Sequence, residues 1–399
     1  MRFCALLRRR VYWIISAAVV ILIIYKLNSR QSLPTDFPVL RKSFIHGGKN
    51  IQYGPFISEH ASKTDSNNHT VTLATHTSVN NLYRLQIISL VWNSPISVAV
   101  WAHGDLTELV ELAYLLTLVC SEGHSLSISI LVPTSKPHQV DVTRIDWRPI
   151  LNPDAKTCSQ RNLHNRFYSL RALETGQNYA RVDRLPYPNN RLRNIALKSV
   201  RTSHVLVADI DMTPSIDMDN HLMRFFHHET DNNINKAYVV PVFESKGVNT
   251  NQWNIARLLT EWQSGKVRQF YVETCPQCQG GTQYLKWIEK QTADYMEMKS
   301  RSVPYVPGWE PFIVMSVSSH PMYDERFQQF GYNRMSLICQ LHMSGVTFDV
   351  MDKVFLMHDG FKTEEGFHAE KDKELKENEM LYMQFRSEIS LKYNTKRQC

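Results

Sequence analysis

The stretch 205-VLVADIDM-212 runs from four apolar residues into two acids that are separated by one residue. A dense run of valine and leucine of this length predicts a buried strand rather than a helix. Because an unpaired charge is costly inside a protein, Asp209 and Asp211 are expected where the strand leaves the core. Alternation along an extended chain would place both carboxylates on one side, where they repel each other unless a cation lies between them. The stretch therefore predicts a strand-end site for Mg²⁺ or Mn²⁺, with a pair of exposed turn acids as the alternative interpretation.

The segments around this stretch predict an α/β fold. Strands are indicated at 71–75, 96–101, 126–132 and 237–244, and helices at 79–92, 108–119, 191–200 and 251–265. Strands that alternate with helices in this way are typical of a parallel sheet with helical crossovers. Asp209 and Asp211 then fall at the carboxyl edge of the sheet, where open α/β sheets bind their ligands.

The last third of the chain is rich in aromatic residues. Its pattern predicts a helix at 335–341, strands at 348–350 and 354–357, and a charged helix at 371–392. The apolar stripe of this last helix is interpreted as packing against the domain rather than as a membrane or partner surface.

An apolar segment near the N-terminus predicts the cellular location. Residues 11–25 carry no charge, and Arg8, Arg9 and Arg10 precede them. With a slight extension the segment can cross a bilayer as a helix, and the arginines place its N-terminal side in the cytosol. A cleavable signal peptide is the alternative, but the residues that follow form a poor cleavage site. We predict a cytosolic tail at 1–10, a transmembrane signal anchor at 11–27, a stem at 28–69 and a lumenal domain at 70–399.

Two further features agree with a lumenal domain. Asn68 begins an Asn-His-Thr acceptor for N-glycosylation, which is modified only in the lumen. Six cysteines follow the predicted anchor, and an oxidising lumen permits disulfides whose connectivity the sequence does not fix. They are Cys120, Cys158, Cys275, Cys278, Cys339 and Cys399. For Cys275 and Cys278 a structural disulfide, local or distant, is favoured over a zinc or redox site.

Polar residues far along the chain complete a set that fits sugar transfer. His358 follows a predicted strand and offers a nitrogen ligand for manganese, and Lys362 is placed to meet phosphate oxygens. Asp324 and Glu325 lie among aromatic residues, a setting suited to a general base. A metal ion and a lysine on a diphosphate, with a separate base for the acceptor hydroxyl, are the equipment for transfer from a nucleotide sugar.

Each of these residues also has a plainer interpretation. Taken alone, His358 is an ordinary polar residue, and the run 324–326 is a surface salt-bridge cluster. Trp309 and Tyr323 are expected to stack on sugar rings, although Trp309 alone would be ordinary core. The plainer interpretations become less convincing when all of these residues occur together in one predicted lumenal α/β domain.

Several motifs make the chain resemble glycosyltransferase family 49. They are Tyr187-Pro-Asn-Asn-Arg-Leu-Arg-Asn194, the stretch 205–215, Cys275-Pro-Gln-Cys-Gln279, Trp309-Glu-Pro-Phe312, Tyr323-Asp-Glu-Arg-Phe327, Phe330-Gly-Tyr-Asn-Arg334 and His358-Asp-Gly-Phe-Lys362. The resemblance runs from about residue 70 to residue 399. It is closer to the beta-1,4-glucuronyltransferase branch than to LARGE, because of the Cys-x-x-Cys element and the His-x-Gly-Phe-Lys motif.

The resemblance implies a GT-A (Rossmann-like) nucleotide-sugar transferase in the Golgi membrane, single-pass and type II, with its catalytic domain in the lumen. It implies Mn²⁺ (or Mg²⁺) as cofactor and UDP-glucuronate as donor. The acceptor would be a xylose-ended glycan of the O-mannosyl type on a glycoprotein, as on dystroglycan. The transfer would invert the anomeric centre.

Residue roles follow from the same motifs. The resemblance implies that Asp209, Asp211 and His358 hold the metal ion. Arg193, Asn194 and Lys362 would lie near the donor, and we also place Thr75 and Thr77, at the end of the first strand, at the donor site. The base would be Asp324 or Glu325, which lead, or Glu310.

Two alternatives stay open. Recognising glucuronate requires a cation, for which Arg193, Arg166 and Lys362 are candidates. If none binds the carboxylate, a beta-1,3-N-acetylglucosaminyltransferase is the alternative within the enzyme class. A catalytically silent, lumenal glycan-binding partner is the alternative outside it, although such a relative would be expected to lack a metal ligand or a base. A complex with another glycosyltransferase is open, whereas the net charge of +7 is spread along the chain and does not indicate nucleic-acid binding.

Overall fold

A computed structural model of the 399-residue chain describes residues 42–46, 49–57, 71–102, 126–133, 185–228, 235–246, 252–291 and 297–399. The predicted anchor at 11–27, the glycosylation site Asn68, the predicted helix at 108–119 and Arg166 lie outside these residues. None of the helices in the described ranges is long and apolar enough to cross a bilayer.

The described strands form two sheets. They are β1 (Lys42–His46), β2 (Lys49–Ile57), β3 (Val71–Ser78), β4 (Ile96–Trp101), β5 (Leu126–Pro133), β6 (His204–Val207), β7 (Met212–Pro214), β8 (Lys236–Val240), β9 (Val242–Ser245), β10 (Val267–Gln269), β11 (Ser300–Val303), β12 (Phe312–Ser316), β13 (Thr347–Met351) and β14 (Leu356–Asp359). The larger sheet has ten strands in the order β1-β2-β5-β4-β3-β6-β12-β8-β13-β11. The smaller sheet has four strands in the order β10-β9-β14-β7.

The described α-helices differ in length from several predicted ones. They are α1 (Arg84–Ser89), α2 (Asn189–Lys198), α3 (Met218–His228), α4 (Ile255–Gln263), α5 (Tyr284–Gln291), α6 (Asn333–Met343) and α7 (Lys371–Tyr393). The predicted helix at 79–92 is shorter, because it is divided into a 3-10 turn at Val79–Asn81 and α1. A second 3-10 turn, Pro276–Thr282, lies between β10 and α5.

The larger sheet is mixed rather than wholly parallel. As predicted, β3 runs parallel to β4 and to β6. However, β12 lies between β6 and β8 and is antiparallel to both. β12 is not among the predicted strands, and its short apolar run follows Pro311 in the aromatic-rich region. The fold is therefore a mixed α/β sheet.

Part of the predicted stem pairs with the larger sheet. β1 and β2 lie within residues 28–69. β1 pairs with β2, and β2 pairs antiparallel with β5. The domain boundary at residue 70 stays a prediction.

Both faces of the larger sheet are buried at β6. Val205 and Val207 belong to one apolar cluster, and Leu206 and Ala208 belong to another. This division is expected because side chains alternate across a strand. Residues of α1 and α3 belong to the cluster of Leu206 and Ala208. Residues of α2, α4 and α6 belong to the cluster of Val205 and Val207. Helices on both faces explain why the run 205–208 is apolar without alternation.

Two predicted strands each divide into two shorter strands. The stretch 205–212 contains the last three residues of β6 and the first residue of β7, and the stretch 237–244 is divided between β8 and β9 at Pro241. Proline has no N–H for a strand ladder, so it favours such a break. In both cases the first strand belongs to the larger sheet and the second to the smaller. Asp209 and Asp211 therefore lie in a connection between the two sheets, at a strand end as predicted but not on one extended face.

Two disulfides occur in the described residues. Cys275 pairs with Cys278, so the disulfide predicted for this motif is local. Cys339 in α6 pairs with Cys399 across a sequence separation of 60 residues. Cys120 and Cys158 lie outside the described residues.

The second disulfide is expected to stabilise the domain. Opening it with Cys399→Ser should lower the free energy of unfolding by about 4 kcal/mol, because a cross-link over a loop of this length restricts the unfolded chain to that extent. Cys339 is fully buried, so a serine there would add a burial cost, and the change at residue 399 is the cleaner one. Denaturant unfolding without reductant measures the effect. A loss below about 1 kcal/mol would contradict a stabilising role.

Candidate active site

Strand pairing in the smaller sheet brings remote parts of the chain to the predicted metal site. β14 pairs with β7 and with β9, which places His358 beside Met212 and beside Glu244. Asp211 directly precedes β7. This pairing explains how residues 358–362 reach an acid almost 150 residues earlier in the chain.

Asp209 is held by three side chains from different elements. Arg193 Nη2 donates to its Oδ1 at 2.8 Å, and Arg334 donates to its Oδ2. His76 Nε2 lies 3.2 Å from Oδ1. Burial alone would raise the pKa of Asp209, but Arg334 and Arg193 hold that pKa well below its ordinary value. Asp209 is therefore a carboxylate with both oxygens engaged by protein donors.

Asp211 is buried and only partly satisfied. Its Oδ2 lies 3.4 Å from His358 Nε2 and 3.8 Å from Lys362 Nζ. Its Oδ1 is buried without a hydrogen-bond partner in the described part of the chain. Burial would raise the pKa of Asp211, yet the neighbouring His358 and the charge of Lys362 lower it below the ordinary range. A buried, charged oxygen without a partner is costly, so this atom is suited to receive a cation.

The orientation of His358 also favours a cation. Its Nδ1 lies 2.8 Å from the carbonyl oxygen of Gly360, which only accepts, so Nδ1 carries a proton. In the neutral ring, Nε2 then directs a lone pair towards Asp211 Oδ2. Two acceptors that face each other repel unless a proton or a metal ion lies between them. An imidazole whose other nitrogen donates to a backbone carbonyl is the usual arrangement of a metal-binding histidine.

The predicted trio of metal ligands is divided. Asp211 and His358 lie together, whereas Asp209 faces Arg193 and Arg334. Among the residues that the structure describes, no three His, Cys, Asp or Glu side chains are gathered into a metal-binding group. Two protein ligands suit an ion that completes its shell with substrate phosphates and water. Metal binding by Asp209 itself stays a prediction.

A buried ion pair fixes the segment that carries Lys362. Glu244 in β9 is fully buried, and Arg268 Nε donates to its Oε1 at 2.5 Å. The backbone N–H of Lys362 donates to Glu244 Oε2 at 3.1 Å, and Arg268 Nη2 donates to the Lys362 carbonyl at 3.1 Å. The Arg268 guanidinium also lies 4.0 Å from the ring of Phe361. These contacts hold Lys362 where its amine faces Asp211.

Glu310 is the carboxylate best suited to act as a base. It precedes β12 by two residues and is partly exposed. Its carboxylate makes no ion pair or side-chain hydrogen bond with any residue in the described ranges, whereas Arg334, Asp209 and Arg193 lie within electrostatic reach. Burial raises the pKa of Glu310 to about 7, and Arg334 lowers it only in part. A carboxylate with this pKa accepts a proton near neutral pH.

The two leading base candidates from the sequence are engaged elsewhere. Asp324 pairs with Arg326 at 2.6 Å, and Arg326 also binds Glu388 of α7. Glu325 pairs with Arg191 at 2.6 Å and accepts from Asn194 at 2.9 Å. Asp324 therefore belongs to a salt-bridge cluster, as in the plainer interpretation of 324–326. The geometry favours Glu310 as the base.

Among the residues predicted near the donor, Arg193, Asn194 and Thr77 have hydrogen-bond partners within the protein. Arg193 is buried against Asp209 and also donates to Asn333 Oδ1 at 2.8 Å. Asn194 exchanges hydrogen bonds with the backbone of Tyr323, which is a packing role. At the end of β3, Thr77 donates to the Ser78 carbonyl.

Thr75 is different from these residues. It is fully buried, and its hydroxyl has no hydrogen-bond partner among the described residues. It is therefore the predicted donor-site threonine whose hydroxyl no described residue engages.

The aromatic residues expected to stack on sugars are not available. Trp309 is fully buried, and a Cβ on Gly281 would lie 2.5 Å from Trp309 Cδ2, so the indole packs flat against that glycine. Tyr323 is also buried. In contrast to Trp309 and Tyr323, Tyr271 is partly exposed. Its backbone is left-handed, with φ of 62°. Burial raises the pKa of Tyr271, and the charge of Glu310 adds to the shift.

Sequence reasoning missed four residues around the two acids. They are His76, Glu244, Tyr271 and Arg334. Arg334 stands in one of the quoted motifs, but the motif alone did not indicate what this arginine does. Glu244 ends a predicted strand as Asp209 does, which was a usable signal. The left-handed conformation of Tyr271 had no signal in the sequence.

Comparison with known proteins places the chain in a family. The model of the family described as glycosyl-transferase for dystroglycan matches residues 70–394. Beta-1,4-glucuronyltransferase 1 of Danio rerio is 32% identical over 360 residues, which cover 87% of this chain and 79% of that protein. Xylosyl- and glucuronyltransferase LARGE2 of Mus musculus is 33% identical over 174 residues, covering 43% of this chain and 24% of that protein. The solved structure of S. aureus TarS with UDP-GlcNAc is 9% identical with a TM-score of 0.38, covering 81% of this chain and 66% of that chain, a similarity too low to support an argument.

These matches agree with the resemblance carried by the motifs. The family match spans nearly the whole predicted lumenal domain. The match to the glucuronyltransferase is longer than the match to LARGE2, in agreement with the closer resemblance to the glucuronyltransferase branch. The chain belongs to glycosyltransferase family 49 and is a glycosyltransferase.

Proposed function

We propose that this protein transfers glucuronate from UDP-glucuronate to a xylose-ended glycan on a glycoprotein, with inversion and with the help of Mn²⁺. The family and the name of the Danio rerio relative support glucuronyl transfer. The observation that carries the site is the buried, unpartnered Oδ1 of Asp211, beside His358 and Lys362. We further propose a GT-A fold, on the basis of the mixed sheet and its strand-end acids.

On the donor side, Asp211 and His358 would hold the metal ion. The bound ion would neutralise charge on the departing diphosphate. Lys362 Nζ, 3.8 Å from Asp211 Oδ2, is placed to pair with an oxygen of the same diphosphate. Glu244 and Arg268 bind the backbone of Lys362 and so hold its amine towards Asp211.

On the acceptor side, Glu310 takes the proton of the attacking hydroxyl. The acceptor oxygen forms a bond to the anomeric carbon while the bond from that carbon to the diphosphate oxygen breaks. UDP leaves with the bonding electrons, and the proton stays on Glu310. Attack from the side opposite to UDP inverts the anomeric centre.

The guanidiniums beside Asp209 favour an acidic sugar. Two buried guanidiniums, Arg193 and Arg334, share the single carboxylate of Asp209. When Glu310 is ionised as the base, the two guanidiniums balance the two carboxylates, so the preference depends on the N–H groups of Arg193 and Arg334. A guanidinium donates more strongly to a glucuronate carboxylate than to a neutral N-acetyl group.

The location remains part of the proposal. Residues 11–27 would anchor the protein in the Golgi membrane as a single-pass type II protein, with Asn68 glycosylated in the lumen. The glycan acceptor would be presented on another glycoprotein in the same lumen.

A panel of UDP-sugars tests the donor. The purified protein is incubated with a xyloside acceptor, Mn²⁺ and, in separate reactions, UDP-glucuronate, UDP-N-acetylglucosamine, UDP-xylose and UDP-galactose. We expect UDP-glucuronate to be used at least about a hundredfold better than the neutral sugars, since losing a buried charge pair costs about 3 kcal/mol or more. Transfer of N-acetylglucosamine without glucuronate would contradict the proposed donor.

A further inference from the structure

The segment 275–282, which we call the Cys275–Cys278 turn, is closed by that disulfide and contains the 3-10 turn Pro276–Thr282. It contacts the peptide groups on both sides of Glu310. The N–H of Glu310 donates to the Cys278 carbonyl at 2.9 Å. The carbonyl of Glu310 accepts from Gln279 Nε2 at 3.3 Å. With both neighbouring peptide groups bonded to one turn, the direction in which the Glu310 side chain leaves the backbone is fixed.

Packing beside Glu310 joins the same two segments. Trp309 lies against Gly281, where no side chain fits. The indole Nε1 donates to Thr282 Oγ1 at 3.4 Å, and Trp309, Gln279 and Thr282 are all buried. Gln279 and Thr282 belong to the 3-10 turn Pro276–Thr282, which begins next to the disulfide-bonded Cys275.

The turn also extends to the other side of the site. The N–H of Cys275 donates to the Tyr271 carbonyl at 2.9 Å. Tyr271 stacks on Phe270 with ring centroids 4.1 Å apart, and the Phe270 ring lies 5.5 Å from that of His358. The disulfide-closed turn is therefore bonded to the backbone of both Tyr271 and Glu310.

We infer that the Cys275–Cys278 turn is a positioning element for the general base, in which Cys278 and Gln279 hold the backbone of Glu310 so that its carboxylate faces the acceptor hydroxyl. This inference rests on the proposed role of Glu310. The disulfide closes the turn, and the closed turn presents the Cys278 carbonyl and the Gln279 amide to the two peptide groups. In this proposal both residues act through the backbone of Glu310.

The inference predicts a change in pH dependence as well as in rate. Arg334, Asp209, Arg193 and Tyr271 are the charged or titratable groups that act on Glu310. If the turn loosens, Glu310 becomes more exposed, and because burial is what raises its pKa, that pKa moves down towards the ordinary value. The acid limb of the kcat/KM profile should then move to lower pH.

Two variants test the inference, Gln279→Ala and the double change Cys275→Ser with Cys278→Ser. We expect kcat to fall roughly ten- to a hundredfold, as for a small misplacement of a reacting group. The KM for the UDP-sugar should change less than about threefold, since Asp211, His358 and Lys362 are not part of the turn. Initial rates are measured from pH 5 to pH 9, and an acid limb moved to lower pH supports positioning.

Cys399→Ser is the matched control, because it opens the Cys339–Cys399 disulfide, which is not part of the segment 275–282. It should lower stability and leave kcat and the acid limb unchanged. Wild-type kcat and an unmoved acid limb in both turn variants would overturn the inference. Glu310→Gln, measured in parallel, separates this failure from the failure of the proposed function. If Glu310→Gln is fully active, the base assignment is wrong. If Glu310→Gln is inactive while the turn variants keep wild-type kcat, the base assignment stands and only the positioning role is wrong.

Discussion

Asp211→Asn is expected to lower kcat/KM for sugar transfer by about a thousandfold while the protein stays folded. The amide has the shape of the carboxylate but not its charge, so the cation loses its one acidic protein ligand. The stabilisation of a departing diphosphate by a metal ion is worth several kcal/mol, and about 4 kcal/mol corresponds to three decades in rate. Folding should persist, because Asp211 Oδ1 has no protein partner in the described residues to lose.

Binding of Mn²⁺, measured by electron paramagnetic resonance, provides a readout independent of activity. The variant should bind Mn²⁺ at least about tenfold more weakly than the wild-type protein. Asp359→Asn is the matched control, because Asp359 is an exposed carboxylate in the same strand as His358. It should leave both binding and rate within about twofold of wild type. Full transfer activity in Asp211→Asn would show that the metal assignment is wrong.

The sequence was sufficient to predict the strand and its acids. Val205, Leu206 and Val207 face helices on both sides of the sheet, and burial on both faces is what produces an uninterrupted apolar run. A charge at the end of such a run must either leave the core or find a partner, and Asp209, which follows β6, is paired with Arg193 and Arg334. His358 was identified in the same way, as a polar residue after a strand, and β14 brings it to Asp211.

The partners of Asp209 could not be predicted from local pattern. Arg193 and Arg334 lie on two helices that are separated by more than a hundred residues, and only the packing of α2 and α6 brings both to one carboxylate. Burial of an acid requires such donors, but the sequence does not say which arginines supply them. For this reason the motif predicted two equivalent metal ligands, whereas the structure gives the two acids different partners.

The choice among three acids for the base shows a second limit. Asp324 and Glu325 follow an aromatic residue, as a base in an apolar setting would, but Arg326 and Arg191 engage them. Ion pairs between side chains depend on the exact direction of each side chain, which periodicity does not provide in a loop. Trp309 was misassigned for a related reason, because its burial depends on the missing Cβ of Gly281, nearly thirty residues away.

Glu310→Gln is expected to lower kcat by about a hundred- to ten-thousandfold, the usual contribution of a positioned general base. In the wild-type protein, the base must be deprotonated to act. Because burial raises the pKa of Glu310 to about 7, kcat/KM should fall about tenfold per pH unit below that value and level off above it. Glutamine does not titrate, so the residual rate of the variant should lack this acid limb.

Asp324→Asn and Glu325→Gln distinguish Glu310 from the other two candidates. Asp324 is partly buried and pairs with the exposed Arg326, and a pair with an exposed partner contributes little, so its loss should cost little in stability or rate. Glu325 accepts from Asn194 and Arg191, and its loss should lower stability while the acid limb of the surviving activity stays near pH 7. Glu310 has a raised pKa and no pairing cation in the described structure, whereas Asp324 and Glu325 each pair with an arginine. If Asp324→Asn or Glu325→Gln instead removed the acid limb, that residue would be the base, and the pKa of Glu310 would report only its burial.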